Sequence, residues 1–216
     1  MNKTFRQYLK EEENLTLEQG LKVLQMLYGY QFTIKGDRVD SSQSISMNFT
    51  QKRWFKGAHL PVKFGRIEGN FEAANMDLGY TEELPTFVKG NCYINNNGFN
   101  THKGFPEFVG GRLAIYDNPE LLTYSGIHNS VKYCNRGMTI SPYHCAMLGF
   151  LLINYNPTMS DGSFLNFDIT VNLNDPHNEL AFKAIQIIND CKNAATDLLD
   201  CKIELIEKGL SVFAKL

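Results

Sequence analysis

Three observations predict an α+β fold: a short leucine-rich-repeat-like β-solenoid, capped by an N-terminal helix and hairpin and by a C-terminal helical unit. Residues from about 60 to 131 recur with a period in the low twenties. Glycines, apolar residues and asparagines keep one register through the copies. Both flanks carry helical periodicity instead. These features divide the chain into a cap at 1–59, coils at 60–133 and a mixed helical unit at 134–216, expected to form one body.

The copies are LPVKFGRIEGNFEAANMDL from Leu60, LPTFVKGNCYINNNGF from Leu84 and FPEFVGGRLAIYDNPEL from Phe105. A degenerate fourth, IHNSVKY, begins at Ile127. Their starts are 24, 21 and 22 residues apart (84 − 60, 105 − 84, 127 − 105). Fixed periods of this size belong to coils that bury a core only by stacking on one another. Aligned on Gly69, Gly90 and Gly111, the second residue on is Phe71, Cys92 or Leu113, and the fourth is Ala73, Ile94 or Ile115. That alternation predicts a short strand with one buried face. The sixth is Asn75, Asn96 or Asp117. An asparagine stacked on its counterparts can donate and accept at once, so these positions are expected to form a ladder that satisfies the turn backbone, weakening at Asp117. Gly69, Gly90, Gly110 and Gly111 are expected at tight turns through positive φ or close approach. Pro61, Pro85 and Pro106 open the opposite side of each coil in extended geometry.

Upstream, Thr16 with Gln19 three residues on forms a capping box. Leu17, Leu21, Leu24 and Tyr28 follow at helical spacing, with Gly20 weakening the pattern and Gly29 marking a stop. The stretch YQFTIKGDRVD (30–40) reads as a β-hairpin turning at Gly36-Asp37, and SISMNF (44–49) as a further strand. Downstream, CNRGMTISPYH (134–144) reads as a turn-rich connection, 145–153 as a buried segment, 156–162 as a loop and 167–173 as a half-buried strand. Asp175-Pro176 starts a helix with Leu180, Ala184, Ile187, Ile188, Cys191 and Ala195 on one face. A second helix carries Leu198, Leu199, Ile203, Ile206 and Leu210.

A net charge of −2 with 20% charged residues predicts no nucleic-acid-binding surface. Residues 1–13 are polar, which predicts no signal peptide, and the most apolar run, CAMLGFLLI, is too short for a bilayer span of about 20 residues. Cys92, Cys134, Cys145, Cys191 and Cys201 are odd in number without a C-x-x-C pair, the pattern of buried free thiols in a reducing compartment. The 21 asparagines are many for 216 residues, and the ladder accounts for part of them.

YQFTIKGDRVD, LPVKFGRIEGNF, LPTFVKGNCYINNN and, at Cys201, CKIELIEKG together resemble a family of tailed-bacteriophage proteins with leucine-rich-repeat-like coils. The match runs from about 30 to 209 with a gap at about 136–182, and the fourth coil here is more eroded than in typical members. The resemblance implies a fold, a viral source and a place in the host cytoplasm. It carries no catalytic residue.

Candidate sites follow from these readings. On the strands of the repeat, Asn70, Glu72, Asn91, Tyr93, Arg112, Ala114 and Tyr116 fall on the outward register. Among them Glu72, Tyr93, Arg112 and Tyr116 suit a protein partner, because tyrosine and arginine anchor interfaces. Trp54, within the cluster Lys52-Arg53-Trp54-Phe55-Lys56, is a further contact candidate. His128, Cys134, Tyr143, His144 and Cys145 lie within 18 residues and leave open a Cys/His enzyme site. Metal-ligand spacing and phosphate-binding glycine motifs are absent, so neither a metal nor a cofactor is expected. The expected function is non-catalytic binding of a host or anti-phage defence protein. A virion or assembly component, and association with further copies of the chain, stay open.

Overall fold

The computed structural model describes residues 15–29, 31–47, 59–121, 123–140, 148–153 and 176–216. The first element is helix α1 (Leu17–Tyr28). Gln19 N–H donates to Thr16 Oγ1 at 3.3 Å and Thr16 N–H donates to Gln19 Oε1 at 2.7 Å, the expected box. Gly29 ends the helix in the left-handed region at φ 67°. Gly20, a helix-weakening residue on propensity alone, is there for packing. A Cβ on it would stand 1.8 Å from the Pro61 carbonyl oxygen, so only glycine lets α1 lie this close to the first coil.

Strands β1 (Phe32–Lys35) and β2 (Arg38–Ser41) form the expected hairpin, with Lys35 opposite Arg38 across the Gly36-Asp37 turn. From β2 onward the chain coils. The strands are β3 (Ile45–Ser46), β4 (Lys63–Ile67), β5 (Phe71–Glu72), β6 (Phe87–Val88), β7 (Cys92–Tyr93), β8 (Phe108–Val109) and β9 (Leu113–Ala114). Helix α2 (Ile127–Ser130) intervenes before β10 (Tyr133–Cys134) and β11 (Met138–Thr139). One sheet runs β1-β2-β4-β6-β8-β10 and the other β11-β9-β7-β5-β3, parallel throughout except at the hairpin. The result is a β-solenoid of about four turns in which each coil gives one strand to each sheet.

The buried columns explain why the coils stack. Ile45, Phe71, Cys92, Leu113 and Met138 succeed one another in one sheet. Ile67, Val88, Val109 and Cys134 do so in the other. All are buried, so like sits on like from rung to rung and the core is continuous along the axis. The middle rungs step by 21 residues (92 − 71 and 113 − 92). The last steps by 25 (138 − 113), the extra length being taken up around α2.

Three expectations change here. The hairpin's second strand is already the first rung, and the sheets extend beyond 60–133 at both ends. The turn-rich connection after Tyr133 is in fact an intact rung, with Met138 and Ile140 filling the columns of Leu113 and Ile115. The ladder is one residue further on than expected. Asn75, Asn96 and Asp117 are exposed and hold left-handed backbone at φ 59°, 52° and 53°, a conformation that Asn and Asp tolerate best among non-glycine residues. Asn96 Nδ2 donates to Asn75 Oδ1 at 2.6 Å, but the buried work falls to Asn97 and Asn118. Asn97 Oδ1 accepts from Met76 N–H and Leu78 N–H, and its Nδ2 donates to the carbonyls of Ala73, Ile94 and Asn95. Asn118 Oδ1 accepts from Asn97 N–H one coil on, and its Nδ2 donates to Ile94 and Ile115.

A second ladder runs along the corner between the sheets. Ser44 Oγ accepts from Asn70 N–H, Asn70 Oδ1 from Asn91 N–H, and Asn91 Oδ1 from Arg112 N–H. These oxygens fill the space where Cβ atoms of Gly69, Gly90 and Gly111 would stand, at 2.4, 2.1 and 2.2 Å. Close approach, with φ negative, is what the corner glycines provide.

Leu148–Leu152 is a 3-10 turn with Leu148 and Ile153 buried. Helices α3 (Pro176–Asn193) and α4 (Leu198–Glu207) pack on each other and on that turn. The buried face of α3 is Ala181, Ala184, Ile185, Ile188 and Cys191, whereas Leu180 is exposed and Ala195 lies past the helix end at φ 51°. Cys191 and Cys201 form a disulfide joining α3 to α4, which corrects the expectation of free thiols at those two positions. Cys92 and Cys134 are the buried free thiols expected. The stretches 156–162 and 167–173, with Asp175, lie outside the described residues, as does Phe49 of the expected third strand.

Candidate functional site

The sheet of β3, β5, β7, β9 and β11 turns alternate residues outward. Ser46 pairs with Glu72, Glu72 with Tyr93, Tyr93 with Ala114 and Ala114 with Thr139. Glu72 is exposed and accepts from Ser46 Oγ at 2.8 Å. Tyr93, Arg112 and Tyr116 are half-buried. Asn70 and Asn91 are committed to the corner ladder. Ala114 is corrected: it is 2% exposed, its single methyl lying in register between the larger Tyr93 and Thr139. The structure thus sets Glu72 and Tyr93 in register on neighbouring rungs, with Arg112 and Tyr116 flanking the strand of the rung after them. Trp54 and its basic neighbours lie outside the described residues.

The opposite sheet carries a feature the sequence reading missed. The Arg66 guanidinium sits 3.6 Å from the Phe87 ring centroid. Phe87 stacks on Phe108 at 4.5 Å and Phe108 on Tyr133 at 4.7 Å, with the ring planes nearly parallel. The signal was the phenylalanine before valine in LPTFV and FPEFV, 21 residues apart (108 − 87). Because the ring faces meet each other, this row is a stabilising aromatic ladder with its edges outward. Beside it, Thr33, Lys35, Asp40, Arg66 and Glu68 line a shallow groove of about 200 Å³. Its charges are satisfied internally. Partial burial acts upward on Asp40, yet Lys35 at 2.8 Å and the Arg66 N–H hold its carboxyl below the usual carboxylate range. A hydrogen bond from Arg66 likewise lowers Glu68.

The Cys/His alternative meets a core residue at Cys134. Its thiol donates to the Gly137 carbonyl at 2.8 Å, and burial pushes it up to about 12, far from an activated nucleophile. Burial raises Cys92 as well. His128 is half-buried, and Tyr143, His144 and Cys145 lie outside the described residues. Among the described residues no group of His, Cys, Asp and Glu is placed to hold a metal ion, and no helix is long and apolar enough to cross a membrane.

Elsewhere, His59 stacks on Tyr80 at 3.7 Å and its Nδ1 stands 2.6 Å from Glu83, whose other oxygen accepts from Leu60 N–H. Burial keeps Glu83 above the usual carboxylate range against those two contacts. Lys192 donates to the Leu151 and Ile153 carbonyls, and burial lowers its ammonium to about 8. The sign is definite. Between pH 8 and the usual 10.5 the unfolded chain binds more protons at this site than the native one, so the stability associated with Lys192 is present above that window and lost as pH falls through it. In urea unfolding from pH 8 to 10.5 the stability of the wild type relative to Lys192→Met is expected to rise with a slope below about 1.4 kcal/mol per pH unit. The buried Cys92 and Cys134 thiols, which act in the opposite direction above pH 9, are common to both. Lys192→Met removes that contribution to the slope.

Compared with protein-family models, with curated proteins and with solved structures, the chain matches none.

Proposed function

We propose that this is a non-catalytic protein-binding protein of a bacteriophage, acting in the host cytoplasm to occlude a host or anti-phage defence factor. The observation that supports binding is the grouping of Glu72, Tyr93, Arg112 and Tyr116 on one face of a continuously stacked sheet. Glu72 and Tyr93 stand in register on neighbouring rungs and Arg112 and Tyr116 flank the strand of the next rung, on a backbone fixed by ladders on either side. Partly buried tyrosine and arginine are pre-organised and lose little side-chain freedom on contact. The phage source rests on the motifs at Tyr30, Leu60, Leu84 and Cys201.

The test is capture from infected-host lysate followed by binding measurements with the captured protein. Tyr93→Ala combined with Arg112→Ala is expected to weaken binding by about 100-fold, as two interface anchors do. The melting transition should hardly change. Unchanged affinity of a folded double variant, or steady turnover of a substrate by the purified protein, would overturn the reading. Abundant peptides in purified particles would favour a virion component instead.

A further inference from the structure

We propose that the Cys191–Cys201 bond is a thiol-reversible clamp on helix α4, opened by a small-molecule thiol and closed by glutathione disulfide. The two Cα atoms are 5.9 Å apart, within the range a disulfide spans, and both residues are buried. Helix α4 itself is thinly held. Of its ten residues only Cys201 and Leu205 are buried. Leu199, Ile203 and Ile206 are 61%, 44% and 49% exposed on its far face. Beyond the helix the chain is anchored again by Leu210, Phe213 and Ala214 and by Leu148 N–H donating to the Lys215 carbonyl. The bond therefore fixes the middle of a segment otherwise tied at its ends. Cys92 and Cys134 take no part, being locked in the rung columns.

Opening proceeds by exchange. A reductant thiolate attacks one sulfur, the S–S bond breaks, and the departing cysteine sulfur takes up a proton. A second reductant thiol resolves the mixed disulfide, leaving two protein thiols and one oxidised reductant. Since both sulfurs are covered, the reaction waits on local lifting of α4, the kind of sub-global opening that thin burial allows.

The experiment uses the full chain in glutathione buffers of varied ratio, with alkylation, peptide mapping and amide hydrogen exchange. In glutathione disulfide the 191 and 201 peptides are expected linked. On reduction, amides of α4 should exchange at least about tenfold faster while those of β6 to β9 keep their protection. Linkage of either cysteine to Cys145 instead, or no linkage at any ratio, would overturn the proposal. So would equal α4 exchange in both states. Cys201→Ser should exchange fast in both buffers. The wild-type comparison decides the matter even if that variant fails to fold, which rung protection reports.

Discussion

Replacement of Asn97 by alanine is expected to cost about 3–4 kcal/mol, among the largest losses available to one side chain in the solenoid. The amide is buried and every one of its hydrogen-bonding positions is engaged. Truncation leaves Met76 N–H and Leu78 N–H without an acceptor and Ala73 and Ile94 carbonyls without that donor, away from water. Each such group costs about 1–3 kcal/mol, partly recovered if water enters the space. Asn97→Asp should be no milder, because it keeps the acceptor but turns a charge toward three carbonyls. The neighbouring Asn96 is the control. It is exposed and left-handed, so Asn96→Gly loses one bond to Asn75 and relieves the backbone, for a net change within about 0.5 kcal/mol. Urea denaturation of the three variants checks this. Equal losses at 96 and 97 would show that the ladder does not lie where the hydrogen bonds place it.

That one-residue offset shows what the sequence made legible and what it hid. The alternation Phe71-Ala73, Cys92-Ile94, Leu113-Ile115 was readable because stacked rungs require an apolar residue at each of those positions. The ladder was not, because Asn or Asp occupies both candidate columns in two coils, Asn96-Asn97 and Asp117-Asn118, and only backbone handedness separates them. The first coil, with Asn75 followed by Met76, favoured the wrong column: its turn is served by Asn97 from the next coil. The second sheet was missed since two-residue strands such as Phe87–Val88 give no alternation to read. The last rung was missed because α2 lengthens its step and Arg136 stands in the column of Gly111. The candidate face was readable at Glu72 and Tyr93 by parity alone, whereas the burial of Ala114 depends on its neighbours' size. The Cys191–Cys201 pair depends on how two helices turn toward each other, which spacing does not encode.

Substitution of Gly110 by alanine tests the idea that rung spacing, rather than left-handed backbone, is what the coil glycines secure. A Cβ there would stand 2.1 Å from the Lys89 carbonyl oxygen. Relief requires the two rungs to part by about 1 Å, since contacts below about 3 Å are not tolerated and a backbone atom has no rotamer to escape into. Parting them stretches Gly110 N–H to Val88 O, at 2.8 Å, and Gly111 N–H to Gly90 O, at 2.9 Å, and slides Phe87 off Phe108. The expected cost is about 3 kcal/mol, at the upper end for overpacking. Gly29→Ala isolates the other effect: φ is +67° with nothing within 4 Å, so only conformational strain is added, at a cost of about 1 kcal/mol. Gly98→Ala meets nothing nearer than the Leu78 carbonyl at 3.4 Å, an ordinary contact. It should be neutral or stabilising by up to about 1 kcal/mol through the unfolded chain. Thermal unfolding of the three variants fixes the ranking. If Gly29→Ala proves the costliest, close approach is not what these glycines provide, and the packing of rung on rung is looser than the columns of buried side chains require.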